Sequence, residues 1–290
     1  MRGDGRAMSG HDVKRAGRKF VVIGTVMSLA IALACSEVGS GPNASAAIEL
    51  APLSASAIVV GDSLRDVDGV ALPVHAIVRN LKGDVITDAA VRYVYADASR
   101  DSALFVDSIT GYVVALKALG LTTPTARIAA RVGNSLQVVR NLQVTTRPDS
   151  ADRNGATKVD TLSVSPPDTG ANATTNVSAS MGVSVRHLEA GVATAVNGWL
   201  VKYELIQPAN STNDSTKSAF LVDENGRRSN IDTTDASGTV ARYVRVRASV
   251  FPATTAVDSA VVLVSVKYKG QNVKGAPIRI VVPVKQRTKS

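Results

Sequence analysis

The sequence predicts an all-β protein of two tandem antiparallel β-sandwiches that follow an N-terminal signal peptide and a flexible tether. Three observations support this fold class. Apolar and polar residues alternate with a period of two in many short segments, as they do on half-buried strands. Gly, Asn and Asp separate these segments, and one order of motifs occurs twice along the chain. With 45% hydrophobic and 20% charged residues, the 290-residue chain has enough apolar surface to bury cores.

The first 34 residues have the pattern of an export signal. A basic segment, Met1–Lys19, precedes an uncharged apolar run of 15 residues, Phe20–Ala34. A membrane-spanning helix needs about 20 apolar residues, so the run fits a cleaved secretory signal better than a span. Cys35, the one cysteine of the chain, follows directly.

Ala32-Leu33-Ala34-Cys35 resembles the lipobox of bacterial lipoproteins. The resemblance implies that Cys35 is acylated, becomes the mature N-terminus and attaches the protein to a membrane. An ordinary signal peptide with an incidental cysteine is the alternative. Ser36 stands where an Asp would signal retention at the inner membrane, which favours the bacterial outer membrane or the cell surface as the destination.

Composition excludes several function classes. A single cysteine excludes a disulfide framework and a cysteine-based zinc site. Aromatic residues make up only 4% of the chain, which argues against stacking platforms for bases or sugar rings. The net charge is +9, but six of the basic residues belong to the predicted signal, so no nucleic-acid partner is expected.

Local composition divides the chain into ranges. Residues after Cys35 are rich in Gly, Ser, Asn and Ala, and a second polar stretch without apolar periodicity occurs in the middle of the chain. Both stretches read as flexible connections. The predicted ranges are a signal peptide at 1–34, a tether at 35–48, a first sandwich at 49–146, a linker at 147–158 and a second sandwich at 159–286.

The motifs of the first range recur in the second in the same order. A V-[RK]-Y strand contains Tyr93 in one copy and Tyr203 in the other, which predicts that both rings occupy equivalent core positions. A closing strand ends each copy, at Leu142–Thr146 and at Ile278–Val284. The matched segments are Val78–Gly83 with Val185–Gly191, Val91–Tyr93 with Val201–Tyr203, Asp107–Val113 with Asp235–Val240, and Ala126–Gly133 with Val261–Gly270.

This motif order resembles the bacterial immunoglobulin-like repeat domains of invasin- and intimin-type adhesins and of surface lipoproteins. Thr234–Val240 is similar to the T-D-A-x-G-x-[AV] segment of those domains, and Leu162–Pro166 is similar to their opening strand. The insertion Asn210–Asp232 departs from the family pattern. The resemblance implies immunoglobulin-like sandwiches with a stalk, spacer or adhesive role and no catalytic residues.

Few residues suit catalysis or cofactor binding. Only His75 and His187 remain once the signal is removed, and both fit structural or solvated positions. No nucleophile elbow, zinc-protease, Walker or dinucleotide motif occurs, so no enzyme activity and no cofactor are expected. An enzyme with an unrecognised site is the remaining alternative.

An acidic turn offers oxygen atoms that calcium would accept. It comprises Asp223-Glu224-Asn225-Gly226, with Asp232 and Asp235 downstream. Arg227 stands where an EF-hand loop has its fifth ligand, and its charge opposes a divalent ion. Solvated turn residues are therefore the simpler interpretation, and no metal site is predicted.

A basic surface stripe is the one candidate binding feature. Arg245 and Arg247 alternate along one strand, and Lys267 and Lys269 along another, where they could contact anionic lipid head groups or polysaccharide. Protection of the sheet against edge-to-edge pairing is the alternative role of these charges. Trp199, the only Trp, is expected to pack against a sheet rather than to bind a ligand.

The sequence thus predicts a non-catalytic, exported cell-envelope lipoprotein, anchored at Cys35, that acts as an adhesive or spacer module. The alternative is an accessory subunit that docks onto an envelope complex or a polysaccharide. A large exposed apolar patch would favour docking, whereas a smooth polar surface would favour the spacer.

Overall fold

The computed structural model describes residues 44–97, 103–119, 125–164, 176–208, 219–247 and 258–286. The predicted signal peptide and Cys35 lie outside these residues. Within the described ranges all regular secondary structure is β-strand, which confirms the predicted all-β class. No helix long and apolar enough to cross a membrane occurs in the part of the chain that the structure describes.

The strands are short, as the spacing of turn residues predicts. In chain order they are β1 Ser45–Leu50, β2 Ala57–Val59, β3 Ala76–Asn80, β4 Val91–Tyr95, β5 Leu104–Val106, β6 Val113–Ala115, β7 Thr125–Val132, β8 Leu136–Thr145, β9 Ser150–Arg153, β10 Leu162–Val164, β11 Val183–Glu189, β12 Val192–Ala195, β13 Leu200–Gln207, β14 Ala219–Val222, β15 Ile231–Thr233, β16 Thr239–Val240, β17 Tyr243–Val246, β18 Asp258–Ser265, β19 Lys267–Tyr268, β20 Gln271–Asn272 and β21 Ile278–Gln286.

Strand pairing repeats between the two halves. In the first half, the sheet order is β2-β8-β7-β4, with β2 parallel to β8 and the other pairs antiparallel. In the second, β10 is parallel to β21, and β21, β18 and β13 follow in the same antiparallel order, with β15 at the edge. The hairpin β5–β6 of the first half corresponds to the pair β14–β17 of the second. The fold is therefore two β-sandwiches of one topology, as predicted.

The β1–β3 pair of the first half corresponds to a larger sheet in the second, which includes a strand from the predicted linker. Its order is β12-β11-β16, and β9 also pairs with β11. The hairpin between β11 and β12 turns at Ala190 and Gly191, which have φ of 48° and 83°. A left-handed conformation at these positions suits a tight hairpin turn.

By internal contacts the chain forms two compact units, which are described separately. The described part of the smaller unit is residues 44–47 with Val78–Ala89. Its turn is closed by Asn80, whose Oδ1 accepts two backbone hydrogen bonds of 2.9 Å. The larger unit begins with Ile48–Ile77 and resumes at Ala90, and every site discussed below lies within it.

The alternating pattern correctly predicts which side chains are buried. Tyr93 is 7% exposed and Tyr203 is fully buried, at equivalent positions of β4 and β13. The Tyr93 hydroxyl accepts a hydrogen bond from the Ala76 backbone N at 3.0 Å. The Tyr203 hydroxyl donates to the Met181 carbonyl at 3.0 Å. Both rings therefore fill a core while their polar ends are satisfied, as buried tyrosines require.

Three strand boundaries differ from the predicted ranges. β1 begins at Ser45, inside the predicted tether, and β8 begins at Leu136, before the predicted closing strand. β9 occupies Ser150–Arg153 in the middle of the predicted linker. Its backbone bonds to β11, but only Ala151 is buried, so the sequence carries no apolar alternation there.

Candidate functional site at the junction between the sandwiches

At the junction between the two sandwiches, one carboxylate pairs with two lysines. Asp68 belongs to a loop of the first sandwich, whereas Lys202 and Lys267 belong to strands of the second. Asp68 Oδ1 lies 2.9 Å from Lys267 Nζ and 3.3 Å from Lys202 Nζ. The hydrogen bond from Lys267 and the one from Lys202 hold the pKa of Asp68 below its usual value.

A second carboxylate, Asp62, is buried beside the first. Arg65 donates two hydrogen bonds to it, from Nε to Oδ2 at 2.8 Å and from Nη2 to Oδ1 at 2.7 Å. Lys269 of the second sandwich lies 4.0 Å from Asp62 Oδ1. Burial raises the pKa of Asp62, but the bonds from Arg65 and from the Ser63 backbone N outweigh this, so its pKa is lowered. Asp62 therefore stays ionised among these cations.

The aromatic rings of Tyr268 and Trp199 lie beside this charged cluster. Tyr268 packs against Trp199 with ring centroids 6.1 Å apart and a tilt of 58°. Lys269 Nζ lies 5.4 Å from the centre of the Tyr268 ring. Burial, followed by the nearby charge of Asp62, raises the pKa of Tyr268. Trp199 is 7% exposed, in agreement with its predicted packing role.

Backbone atoms approach closely at the same junction. A Cβ added to Gly69 would lie 2.3 Å from the Gly270 backbone N, a distance that no real Cβ can have. A Cβ on Gly198 would lie 2.8 Å from the Ala57 Cβ. The Ser56 Oγ donates to the Gly198 carbonyl at 3.2 Å. Only glycine permits this contact at Gly69 and Gly198, which also have positive φ.

Apolar packing is continuous across the junction. Val59 of β2, in the first sandwich, is buried within the core cluster of the second sandwich. Leu200 of β13, in the second sandwich, is partly buried against the core of the first. Each sandwich thus contributes a side chain to the other's core, which opposes independent motion of the two.

Asp149 fixes the chain segment that connects the sandwiches. Its Oδ2 lies 2.6 Å from His187 Nδ1 and accepts a 2.9 Å bond from the Leu188 backbone N. Its Oδ1 accepts a 2.6 Å bond from Arg147 Nε. Burial raises the pKa of Asp149, but the bonds from Leu188, His187 and Arg147 outweigh it and leave the pKa lowered. The predicted linker is therefore tied to β11 by side chains as well as by β9.

The four residues of the predicted basic stripe lie in two different parts of the structure. The structure brings Lys267 and Lys269 together at the junction, beside the two carboxylates. Arg245 lies on β17, in a different sheet, and lines a cleft of about 440 Å³ with the Asp223–Gly226 turn. Arg247 follows the end of β17. Binding of an anionic partner by the four residues stays a prediction.

In the acidic turn, carboxylate oxygens accept hydrogen bonds from backbone N–H groups of the turn. Asp223 Oδ1 accepts hydrogen bonds from the backbone N of Asn225 and Arg227 at 2.9 and 2.8 Å. Bonds from Ser237 and then Thr239 lower the pKa of Asp235 to about 2. Among the described residues, no group of three or more side chains of the metal-ligating types lies together.

Asp232 and Arg242 form a buried ion pair that the sequence pattern hides. Arg242 is 7% exposed and shares the inward phase of Val240 and Val244. Its Nη1 lies 2.7 Å from Asp232 Oδ2, and its Nη2 donates to Ser229 Oγ at 3.2 Å. His75, by contrast, is exposed, in agreement with its predicted solvated position.

No protein-family model and no curated protein matches the chain. Among solved structures, the chain is similar to domains 5-6 of the S-layer protein SbsC, with 13% identity over 85% of this chain and 100% of that chain and a TM-score of 0.27. It is similar to the adhesin InvE of Yersinia pseudotuberculosis, with 13% identity over 86% of this chain and 62% of that chain and a TM-score of 0.29. It is also similar to the human desmocollin-1 ectodomain, with 12% identity, 86% and 38% coverage and a TM-score of 0.25. These values assign no family to the chain, and its fold rests on the strand pairings described above.

Proposed function

We propose that the chain is an exported bacterial envelope lipoprotein, anchored through Cys35, that acts without catalysis as a rigid spacer or adhesive module. The junction is the observation that carries this proposal. A spacer must transmit its orientation from one domain to the next, which requires domains that do not move freely. Ion pairs, glycine contacts and shared packing at the junction meet this requirement.

The anchoring part of the proposal is tested by changing Cys35 to Ser in the native host. Because acylation needs the thiol, the variant should lose membrane attachment or processing. Ser36→Ala is the matched control, since it changes the neighbouring residue and leaves the thiol. Membrane fractionation of both variants gives the readout. Equal membrane partitioning of Cys35→Ser and the wild type would contradict lipid anchoring.

Docking onto an envelope complex is the second candidate role. It is supported by exposed apolar side chains on and around the β5–β6 hairpin: Phe105 is 55% exposed, Ile109 70% and Leu116 53%. Monomeric proteins rarely expose several large apolar residues together. These side chains depart from the smooth polar surface that a pure spacer would have.

The docking role is tested by cross-linking the intact envelope. A Phe105→Ser, Leu116→Ser double variant should lose any defined adduct that the wild type forms. Val192→Ser is the control, because Val192 is 63% exposed on the second sandwich. A wild type that forms no adduct, or adducts that survive in the double variant, would leave the spacer role and exclude docking through the hairpin.

A further inference from the structure

Two arginines face each other on the outer surface of the first sandwich. Arg92 of β4 is the direct cross-strand partner of Arg131 of β7, and both are exposed. Directly opposed residues of an antiparallel pair project on the same side, with Cβ atoms about 5 Å apart. Like charges in this arrangement destabilise the strand pair. The fold therefore retains a repulsion that simple burial does not explain.

Among the residues that the structure describes, no acid neutralises this pair. Arg131 Nε donates to Gln137 Oε1 at 2.7 Å, which is a neutral partner. Within the described residues, Arg92 and Arg131 form no ion pair with a carboxylate. Arg127, four residues earlier on the same face of β7, differs in this respect, since its Nε lies 2.5 Å from Asp97 Oδ1. The unneutralised charge is thus confined to one end of the face.

The rest of this face carries amide and aliphatic side chains beside the Arg127–Asp97 ion pair. Asn141 of β8 opposes Arg127, and Gln137 opposes Arg131, so both polar cross-strand partners are amides. Between these rows lie Val139, the half-buried Val94 and the buried Ala129. Val139 is 38% exposed.

The second sandwich lacks this arrangement at the equivalent position. Lys202 corresponds to Arg92 in the repeated strand motif, but its cross-strand partner is Ser265 rather than a cation. Lys202 is also paired with Asp68 at the junction. The opposed arginines are therefore a property of the first sandwich and not of the shared topology.

We infer that the outer face of β4, β7 and β8 binds an acidic polysaccharide, with Arg92 and Arg131 holding one sulfate, carboxylate or phosphate group between them. A guanidinium binds such groups through two parallel hydrogen bonds, and an anion relieves the repulsion between the two arginines. A face that carries charged and amide groups and no aromatic side chain fits an extended acidic polymer better than a membrane, which aromatic and long apolar side chains penetrate. The inference names the partner class of the proposed adhesive role and rests on it.

The test measures retention of the full chain on immobilised dextran sulfate and polygalacturonate, with neutral dextran as the blank. We expect retention on both acidic polymers and weakening with added salt, because the contacts are exposed. An Arg92→Gln, Arg131→Gln double variant should bind about tenfold more weakly, since it loses both charge contacts to the anionic group. Arg140→Gln is the matched control. Arg140 is exposed on β8 but opposes the buried Ile128, on the other side of the sheet.

A second arm distinguishes a polysaccharide from lipid head groups. The same variants are sedimented with phosphatidylglycerol vesicles, and the double variant should sediment as the wild type does. The inference is overturned if the double variant loses vesicle binding rather than polymer binding, if Arg140→Gln weakens polymer binding equally, or if the wild type does not bind the acidic polymers. Membrane fractionation of Cys35→Ser is unaffected by these outcomes, so failure of the anchor and failure of this site remain distinguishable.

Discussion

At the scale of single residues, one charged group within the second core is held by several partners. Arg242 interrupts a row of buried valines, and its Nη1 and Nη2 bind Asp232, Ser229 and two backbone carbonyls, whereas its buried Nε has no hydrogen-bond partner among the described residues. An unpaired guanidinium at the same position would carry a large desolvation penalty. The apolar pattern of the sequence therefore remains valid although one of its positions is charged.

Two substitutions of Tyr203 separate the contribution of its hydroxyl from that of its ring. Tyr203→Phe removes the hydrogen bond to the Met181 carbonyl and should cost about 1–3 kcal/mol of unfolding free energy, because the buried carbonyl loses its donor. Tyr203→Ala also empties the core and should cost about 3–5 kcal/mol. Urea unfolding followed by circular dichroism measures both. Equal costs for the two variants would show that the ring contributes nothing and that the assigned core position is wrong.

At the scale of loops and strands, the junction depends on glycines that no side chain can replace. Gly69→Ala would place a Cβ against the Gly270 backbone and should cost at least about 2 kcal/mol more than the backbone strain alone. Gly61→Ala is the control, since Gly61 has φ of 75° and no atom within 4 Å of an added Cβ. Left-handed strain alone costs about 1–2 kcal/mol. Thermal unfolding of both variants measures the difference, and equal destabilisation would contradict the close approach.

The junction also predicts how stability responds to acid. Asp68 has a lowered pKa in the folded chain, so its ion pairs with Lys202 and Lys267 stabilise the fold above its ordinary pKa of 3.8 and are lost as the pH falls through the lower folded value. Asp68→Asn should therefore be less stable than the wild type at pH 6. The difference should shrink as the pH falls below 3.8 and vanish below the lowered folded pKa, where the wild-type carboxylate is protonated as well. A pH-independent difference in melting temperature would contradict the assigned pairing.

Sequence predicted the strands better than the junction, for a physical reason. The apolar face of β18 is readable because Val262, Val264 and Val266 alternate, and alternation is what burial on one face of a sheet requires. The junction has no such signal. Asp68 lies 134 and 199 positions from the two lysines that it binds, so only the fold brings them together. The sequence of β9 likewise carries no alternating pattern, because this strand pairs with β11 through its backbone and buries only Ala151.

At the scale of the whole molecule, the two sandwiches are joined by more than a flexible linker. The sequence predicts a flexible linker at 147–158, whereas the structure contains β9 within that range and binds Asp149 to His187 and Leu188. The acidic and basic residues at the junction lie in sequence ranges predicted to be separate domains. A stiff arrangement of this kind suits the proposed spacer role, because the proposed binding face of Arg92 and Arg131 would then be presented in a fixed direction.

Backbone ¹⁵N relaxation of the full chain tests this central claim most directly. If the junction holds, residues of both sandwiches will report one rotational correlation time, and amides of Ser150–Arg153 will have order parameters near the rigid value of about 0.85. Asp68→Asn and Gly69→Ala should loosen this coupling, while Gly61→Ala should not. Two distinct, shorter correlation times in the wild type, with order parameters below about 0.6 between Arg147 and Lys158, would contradict the rigid junction and restore the flexible linker.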